Sequence, residues 1–157
     1  MDVLNKQYMA DPIGFMKKYA LETDGAMDKG DGQGAGTAQF DLNYHKANPN
    51  MVVVSLYSGP AGKNSPILAW WLPWKSGATM NLKLGKGADY FFTSSLGGCR
   101  VQYSGGPEPV VSHIAGDTGG KRDDGSGPGG SAWRDAQSAA NAGVHIVGWC
   151  VRSLRAI

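Results

Sequence analysis

Short apolar runs, separated by glycine, proline and asparagine, constrain the fold more than any other feature of this sequence. In several runs apolar and polar residues alternate, as in Phe40, Leu42 and Tyr44, and alternation is typical of a strand with one buried face. The runs predict strands at residues 38–45, 51–57, 67–72, 79–84, 90–93, 100–103, 110–114 and 144–154. Short connections favour antiparallel pairing. We therefore expect an α/β fold, a sandwich of two mainly antiparallel or mixed β-sheets flanked by helices.

Two helices are predicted, one before the strands and one near the end of the chain. Asp11 and Pro12 form a favourable helix start, and the apolar spacing extends that helix to about Glu22. Ser131 can cap a second helix over residues 132–142. The chain of 157 residues fits a single domain. Residues 1–36 would hold the first helix and a flexible Gly-rich loop, and residues 37–157 the sandwich with its C-terminal helix and strand.

Composition excludes several classes of function. The net charge of +2 is too small to indicate binding to nucleic acid or to a membrane surface. No apolar run approaches the roughly 20 residues of a membrane span. Residues 1–6 lack the basic and apolar regions of a signal peptide, so we expect synthesis in the cytoplasm. The two cysteines do not make a disulfide framework.

Two other segments look like ligand loops but lack residues that such loops require. The acidic residues at positions 24, 28 and 31 do not follow the Asp-x-Asp order of a calcium loop. Gly120-Lys121 is followed by Arg122 instead of the Ser or Thr of a phosphate loop, which disfavours a nucleotide-binding protein. We expect no metal and no cofactor. The segment 116–130 is long for a loop, which favours mobility or a role near a site.

Cys99 and His113 are the candidate catalytic pair. Cys99 ends a turn that contains Gly97 and Gly98, and His113 lies 14 positions downstream (113 − 99). Two antiparallel strands joined by a turn at residues 104–109 would place the two side chains opposite each other. A thiol must lose its proton to attack, and a nearby imidazole can accept that proton. Because glycine allows close approach of a substrate, the amides of Gly97, Gly98 and Cys99 are candidates for an oxyanion hole.

Other interpretations of these residues stay open. Cys99 could be a small buried residue and His113 a strand residue without chemistry. His145 is the other downstream histidine that could serve as the base, and Cys150 is expected to pack within the last strand. The tryptophans at positions 70, 71 and 74 could form a ligand platform, but packing in the core is favoured.

Two segments of the chain contain motifs that are known together from one protein family. The downstream segment contains the motifs Phe91-Phe92-Thr93, Leu96-Gly97-Gly98-Cys99, Gly105-Gly106-Pro107 and His113-Ile114. The upstream segment is Leu68-Ala69-Trp70-Trp71-Leu72-Pro73-Trp74-Lys75-Ser76-Gly77. These segments resemble the Burkholderia lethal factor family, which belongs with the cytotoxic necrotizing factors. The resemblance covers about residues 67–117, and the two segments keep the family's order and similar spacing.

The resemblance implies roles for three residues. Cys99 matches the family's nucleophile, His113 its general base, and Thr93 the residue that orients the imidazole. The family has two packed sheets flanked by helices, which agrees with the fold expected above. The chain departs from the family pattern Leu-Ser-Gly-Cys because Gly97 replaces the serine. Any role of that serine side chain is therefore lost.

The resemblance also implies a function, which is hydrolysis of a glutamine side-chain amide in a target protein. The reaction would pass through a cysteine thioester and release ammonia. Family members are toxins that modify small GTPases or a translation-initiation helicase, so we expect a monomeric bacterial effector that acts in the cytosol of a target cell. A cysteine protease or a transglutaminase-like acyl transferase would use the same thioester, and peptide cleavage or amine incorporation would reveal it. A non-catalytic binding module would instead have a thiol of ordinary reactivity.

Overall fold

The structure is a computed structural model that describes residues 3–28, 34–60, 63–94, 99–104, 107–115, 117–118, 121–122 and 144–146. The helices among these residues are α1 (Val3–Ala10), α2 (Pro12–Lys18) and α3 (Gly25–Asp28). The strands are β1 (Ala20–Thr23), β2 (Gly36–Tyr44), β3 (Met51–Leu56), β4 (Ile67–Leu72), β5 (Thr79–Lys83), β6 (Tyr90–Thr93), β7 (Arg100–Ser104), β8 (Val110–Ile114), β9 (Asp117–Thr118), β10 (Lys121–Arg122) and β11 (Val144–Ile146).

The strands form two main sheets, so the predicted α/β fold with two sheets is confirmed. The first sheet has the order β1-β3-β2-β4-β6, and the second has the order β11-β7-β8-β5. A separate ribbon pairs β9 with β10. The pairs β1–β3 and β4–β6 are parallel, and the other pairs are antiparallel. The mixed pairing matters for the site because β4 and β6 end side by side.

The largest apolar cluster lies between the first sheet and the helices α1 and α2. Phe40, Trp71 and Phe92 are its large sheet residues, and Tyr8 and Phe15 contribute from the helices. Ring centroids of Phe40 and Trp71 are 6.0 Å apart. The prediction of core packing for the three tryptophans is confirmed for Trp71 alone, because the other two are half-buried and lie outside this cluster. Because successive strand residues point to opposite faces, the neighbours of Trp71 and Phe92 at the strand ends face away from the helices.

Asn5 joins α1 to the first sheet through a group of side-chain hydrogen bonds. It is completely buried, and its side-chain oxygen accepts from the backbone N–H of Leu42 at 2.8 Å. Its amide nitrogen donates to the Asp41 carboxylate at 2.7 Å and to the carbonyl oxygens of Asn64 and Ser65 at 3.3 Å. These last two residues have φ values of 63° and 43°, so the amide also supports a turn in the left-handed region.

The helix predicted from Asp11 and Pro12 is present as α2 and begins at the expected residue, but it is shorter than predicted. The Asp11 side chain caps α2 by accepting from the Gly14 N–H at 2.9 Å, and Pro12 is the first helical residue. The helix ends at Lys18 instead of Glu22. The reason is that residues 20–23 pair in parallel with residues 51–54 of β3, which makes them the edge strand β1.

Some of the remaining predictions concern residues that the structure describes, and others concern residues outside the described ranges. Within the segment 116–130, predicted as a loop, β9 and β10 form an antiparallel pair. Within residues 23–36, α3 occupies part of the predicted loop. The predicted helix 132–142, Cys150 and the last predicted strand beyond Ile146 lie outside the described residues. None of the helices that the structure describes has the length and apolar character needed to cross a membrane.

Candidate active site

Thr93 connects the two sheets at the end of β6. The parallel register places Thr93 beside Leu72, the last residue of β4. The Thr93 hydroxyl donates to the Leu72 carbonyl oxygen at 2.7 Å, and the same hydroxyl oxygen lies 2.7 Å from Nδ1 of His113 in the second sheet. The predicted contact between Thr93 and His113 is therefore present.

His113 is fixed inside the second sheet by its position in β8. Its backbone pairs with Val101 of β7 on one side and with Met80 of β5 on the other. The side chain is completely buried, and its ring is held at Nδ1 by Thr93. An imidazole held in this way keeps one orientation, which a general base needs.

The hydrogen bonds of Thr93 determine which tautomer His113 adopts. A threonine hydroxyl has one hydrogen, and a carbonyl oxygen can only accept. Since the hydrogen of Thr93 goes to Leu72, the Thr93 oxygen must accept from His113. The neutral ring then carries its hydrogen on Nδ1 and its lone pair on Nε2. The second nitrogen can therefore take a proton from a thiol.

Cys99 immediately precedes β7, the strand that pairs with the His113 strand β8. It is half-buried and is not in a disulfide. Val101, two residues after Cys99, pairs with His113. If the alternation of β7 is continued back to Cys99, the cysteine takes the face of Val101 and becomes a diagonal neighbour of His113, a position at which Cα atoms are about 7–8 Å apart.

The prediction that Cys99 lies directly opposite His113 is wrong by two positions. The observed pair is Val101 with His113, so the hairpin is centred on residue 107 instead of 106. The backbone ladder stops at the pair of Tyr103 with Val111. Beyond it the Ser104 side chain accepts the Val110 N–H at 2.8 Å. This side-chain bond adds a contact between β7 and β8 just beyond their last backbone pair.

The strand pairing also shows how far along β7 each of the two candidate bases, His113 and His145, lies from Cys99. His145 pairs with Tyr103, four residues beyond Cys99, which corresponds to about 13 Å along the strand. His113 pairs with Val101, two residues beyond Cys99, or about 7 Å along the strand. The backbone positions favour His113 as the base.

Two groups near the site were not singled out from the sequence. The carbonyl of Leu72 is the acceptor that fixes the Thr93 hydroxyl, and backbone groups leave no trace in a sequence pattern. Ser94 is buried, and its hydroxyl oxygen accepts from the backbone N–H of Trp74 at 3.0 Å. The available signal was the polar pair Thr93-Ser94 directly after an apolar run.

The predicted oxyanion donors Gly97 and Gly98 lie outside the described residues, so their role stays a prediction. Comparison of the chain with models of known protein families finds no match, and comparison with curated proteins finds no significant match either. The family resemblance therefore remains a hypothesis, and the interpretation of the site depends on its own geometry.

Proposed function

We propose that the chain is a cysteine-dependent protein glutamine deamidase. The observation that carries this proposal is the pair of hydrogen bonds at Thr93, one from its hydroxyl to Leu72 and one from His113 to its oxygen. A histidine with only a structural role does not require its hydrogen on Nδ1, whereas a base that accepts a proton from a thiol at Nε2 does. Cys99, which directly precedes the strand paired with the His113 strand, supplies the thiol in this proposal.

The first half of the proposed reaction forms a thioester. His113 takes the proton of Cys99 on Nε2, and the thiolate attacks the carbon of the glutamine carboxamide. The C=O electron pair moves to the oxygen, and donors near Cys99 stabilise the resulting oxyanion. The imidazolium returns its proton to the amino group, the C–N bond breaks and ammonia leaves. Thr93 accepts the Nδ1 hydrogen throughout.

The second half of the reaction regenerates the enzyme. His113, again neutral, takes a proton from water, and the hydroxide attacks the thioester carbon. The C–S bond breaks, the thiolate recovers a proton from the imidazolium and glutamate is released. The net change is the exchange of NH₂ for OH, which leaves a new negative charge on the target at neutral pH.

The burial of the site supports a side-chain amide as the substrate. His113 is completely buried and Cys99 is half-buried. A glutamine side chain ends in its reactive group and can enter such a site end-on, whereas a peptide bond brings chain on both sides of it. A protease or transglutaminase-like enzyme is the second candidate because it would use the same thiol and base.

The partner in this proposal is a protein with an accessible glutamine. By the family resemblance, such targets are small GTPases or a translation-initiation helicase, and the chain would be an effector acting in the cytosol of the cell that contains them. The proposed chemistry itself needs only an exposed glutamine and water.

Mass spectrometry of proteins from a host-cell lysate tests the proposed reaction. We expect incubation with the wild-type protein to add about 1 Da per modified glutamine. The Cys99→Ser variant should fold and leave the lysate unchanged, because the alcohol is a much weaker nucleophile. Cys150→Ser is the matched control and should keep the activity. Wild-type activity in Cys99→Ser would refute the proposed nucleophile.

Thiol alkylation tests the proposed base without a known target. In the folded protein, Cys99 should react with iodoacetamide at pH 6 much faster than Cys150, because a thiolate–imidazolium pair keeps it reactive. His113→Ala should remove this advantage, and His145→Ala should leave it. The reverse result for the two histidine variants would identify the other base, and equal rates for both cysteines in the wild type would favour a binding module.

A further inference from the structure

Trp74, whose backbone is bonded to the residue that follows Thr93, carries a buried side-chain donor. The indole Nε1 of Trp74 is shielded from solvent, and within the part of the chain that the structure describes it has no hydrogen-bond partner. An indole N–H can only donate, so burial without an acceptor destabilises the fold. A phenylalanine would fill the site without this cost. Together with the position of Trp74 at the site, this donor points to an acceptor that arrives with a ligand.

Trp74 is fixed to the same strand ends that hold His113 in place. Its backbone N–H donates to the Ser94 hydroxyl oxygen at 3.0 Å, and Ser94 directly follows Thr93. Leu72, two residues before Trp74, accepts the hydrogen bond of Thr93. The tryptophan is thus anchored to the residue next to the one that contacts the base.

We infer that Trp74 is a substrate-binding residue whose indole N–H donates to the carbonyl oxygen of the target glutamine. This inference rests on the proposed deamidase function and adds a recognition element to it. A donor-only group binds the oxygen of a carboxamide and not its NH₂ group. It would therefore fix the orientation of the carboxamide in the site, with the oxygen at the indole and the NH₂ group directed away from it. The hydrogen bond would become stronger as the oxygen becomes an oxyanion.

Trp70 provides a matched control for this role. Its Nε1 is also buried without a partner among the described residues. Its ring lies under the turn at Gly87, where an added Cβ would be 3.1 Å from the indole and 3.4 Å from Thr37. Its strand partner is Phe91, two positions before Thr93. Trp70→Phe removes the same kind of N–H as Trp74→Phe, but farther from the site.

Two thiol reagents test the inference without a known target. 2-Chloroacetamide contains a primary carboxamide, and methyl methanethiosulfonate has no carbonyl group. Trp74→Phe should lower the ratio of their rate constants at Cys99 by about three- to tenfold, the worth of one hydrogen bond, and Trp70→Phe should leave it unchanged. In the lysate assay Trp74→Phe should slow deamidation by about 100-fold, with the loss mainly in kcat.

An NMR measurement on the wild-type protein covers the case in which Trp74→Phe fails to fold. The Trp74 indole proton should move downfield when Cys99 carries the carboxamide adduct, and it should stay in place with the methylthio adduct. A wild-type reagent ratio in folded Trp74→Phe, or the same indole shift for both adducts, would overturn the inference. A wild-type protein that shows the carboxamide effect but deamidates nothing would refute the proposed function while leaving Trp74 as a carboxamide-binding residue.

Discussion

The single hydrogen of the Thr93 hydroxyl has a large effect on the chemistry that the site can perform. If Leu72 did not accept it, Thr93 could donate to His113 and stabilise the tautomer with the hydrogen on Nε2. That tautomer has no lone pair facing a thiol. The carbonyl at the end of β4 therefore determines, through one hydroxyl, whether His113 can act as a base.

Substitutions of Thr93 separate its hydroxyl from its shape. Thr93→Val keeps the branched side chain and removes both hydrogen bonds, so we expect turnover to fall by about tenfold or more. Thr93→Ala should give a similar loss, and Thr93→Ser should retain much of the activity because it keeps the hydroxyl. The measurements are kcat for deamidation and the alkylation rate of Cys99 at pH 6. Wild-type rates in Thr93→Val would show that another group orients His113.

The sequence was enough to predict which side chains belong to the candidate site, but it predicted only some of the contacts between them. Cys99, His113 and Thr93 were identified from a turn, a spacing and a resemblance. The acceptor at Leu72 required the parallel register of β4 and β6, which connects positions that are 21 residues apart. The two-residue error at Cys99 reflects the register of the hairpin, which the spacing of the residues alone does not specify.

Among the elements, α1 shows how one polar residue can help to fix the position of a short helix. The helix has eight residues, too few to be stable alone in water. Leu4 and Tyr8 pack on the first sheet, and Asn5 between them binds Leu42 and Asp41 of β2. The position of α1 is therefore specified by hydrogen bonds as well as by apolar contact.

Asn5→Ala should destabilise the fold much more than an ordinary polar substitution. It leaves the Leu42 N–H buried without an acceptor, which costs about 1–3 kcal/mol, and it releases the Asn64–Ser65 turn. Asn43→Ala is the matched control, since the Asn43 amide makes a 3.2 Å bond to Ser55 on the same strand pair. Urea unfolding followed by tryptophan fluorescence gives both values. Equal effects for the two variants would contradict the role of Asn5.

The elements differ in how well local sequence predicts them. β4 has the predicted bounds because its apolar run ends at a proline. The start of α2 was predictable from Asp11 and Pro12, but its end was not. Residues 20–23 continue the helical spacing, and they become a strand only because β3 is available for parallel pairing. Pairing between distant segments overrides local preference at such positions.

In the molecule as a whole, the helices and the second sheet cover opposite faces of the first sheet. Tyr8 marks the helical side, where its ring centroid lies 5.3 Å from Tyr90, 5.5 Å from Phe15 and 5.7 Å from Phe92. Burial, together with the nearby Tyr90, raises the pKa of Tyr8 from 10.0 to about 12. The charged form of this tyrosine is therefore disfavoured in the folded protein.

This shift predicts a loss of stability at alkaline pH. The unfolded chain releases the Tyr8 proton near its ordinary pKa of 10.0, and the folded protein keeps it until about 12. The contribution is fully present below pH 10 and is lost as the pH rises through 12, by about 1–3 kcal/mol in all. Tyr8→Phe should reduce the slope of unfolding free energy against pH in this range. An unchanged slope would show that Tyr8 titrates normally.

The contact between Thr93 and His113 also has a consequence for the order of events during folding. Thr93 belongs to the first sheet, and Cys99 and His113 belong to the second. A chain that has formed only one of the sheets contains a cysteine and a histidine, but nothing selects the reactive tautomer. In the proposed mechanism, the reactive tautomer would therefore form only when the two sheets dock. A nascent or partly unfolded chain would contain the thiol and the imidazole without the hydrogen bond that selects this tautomer.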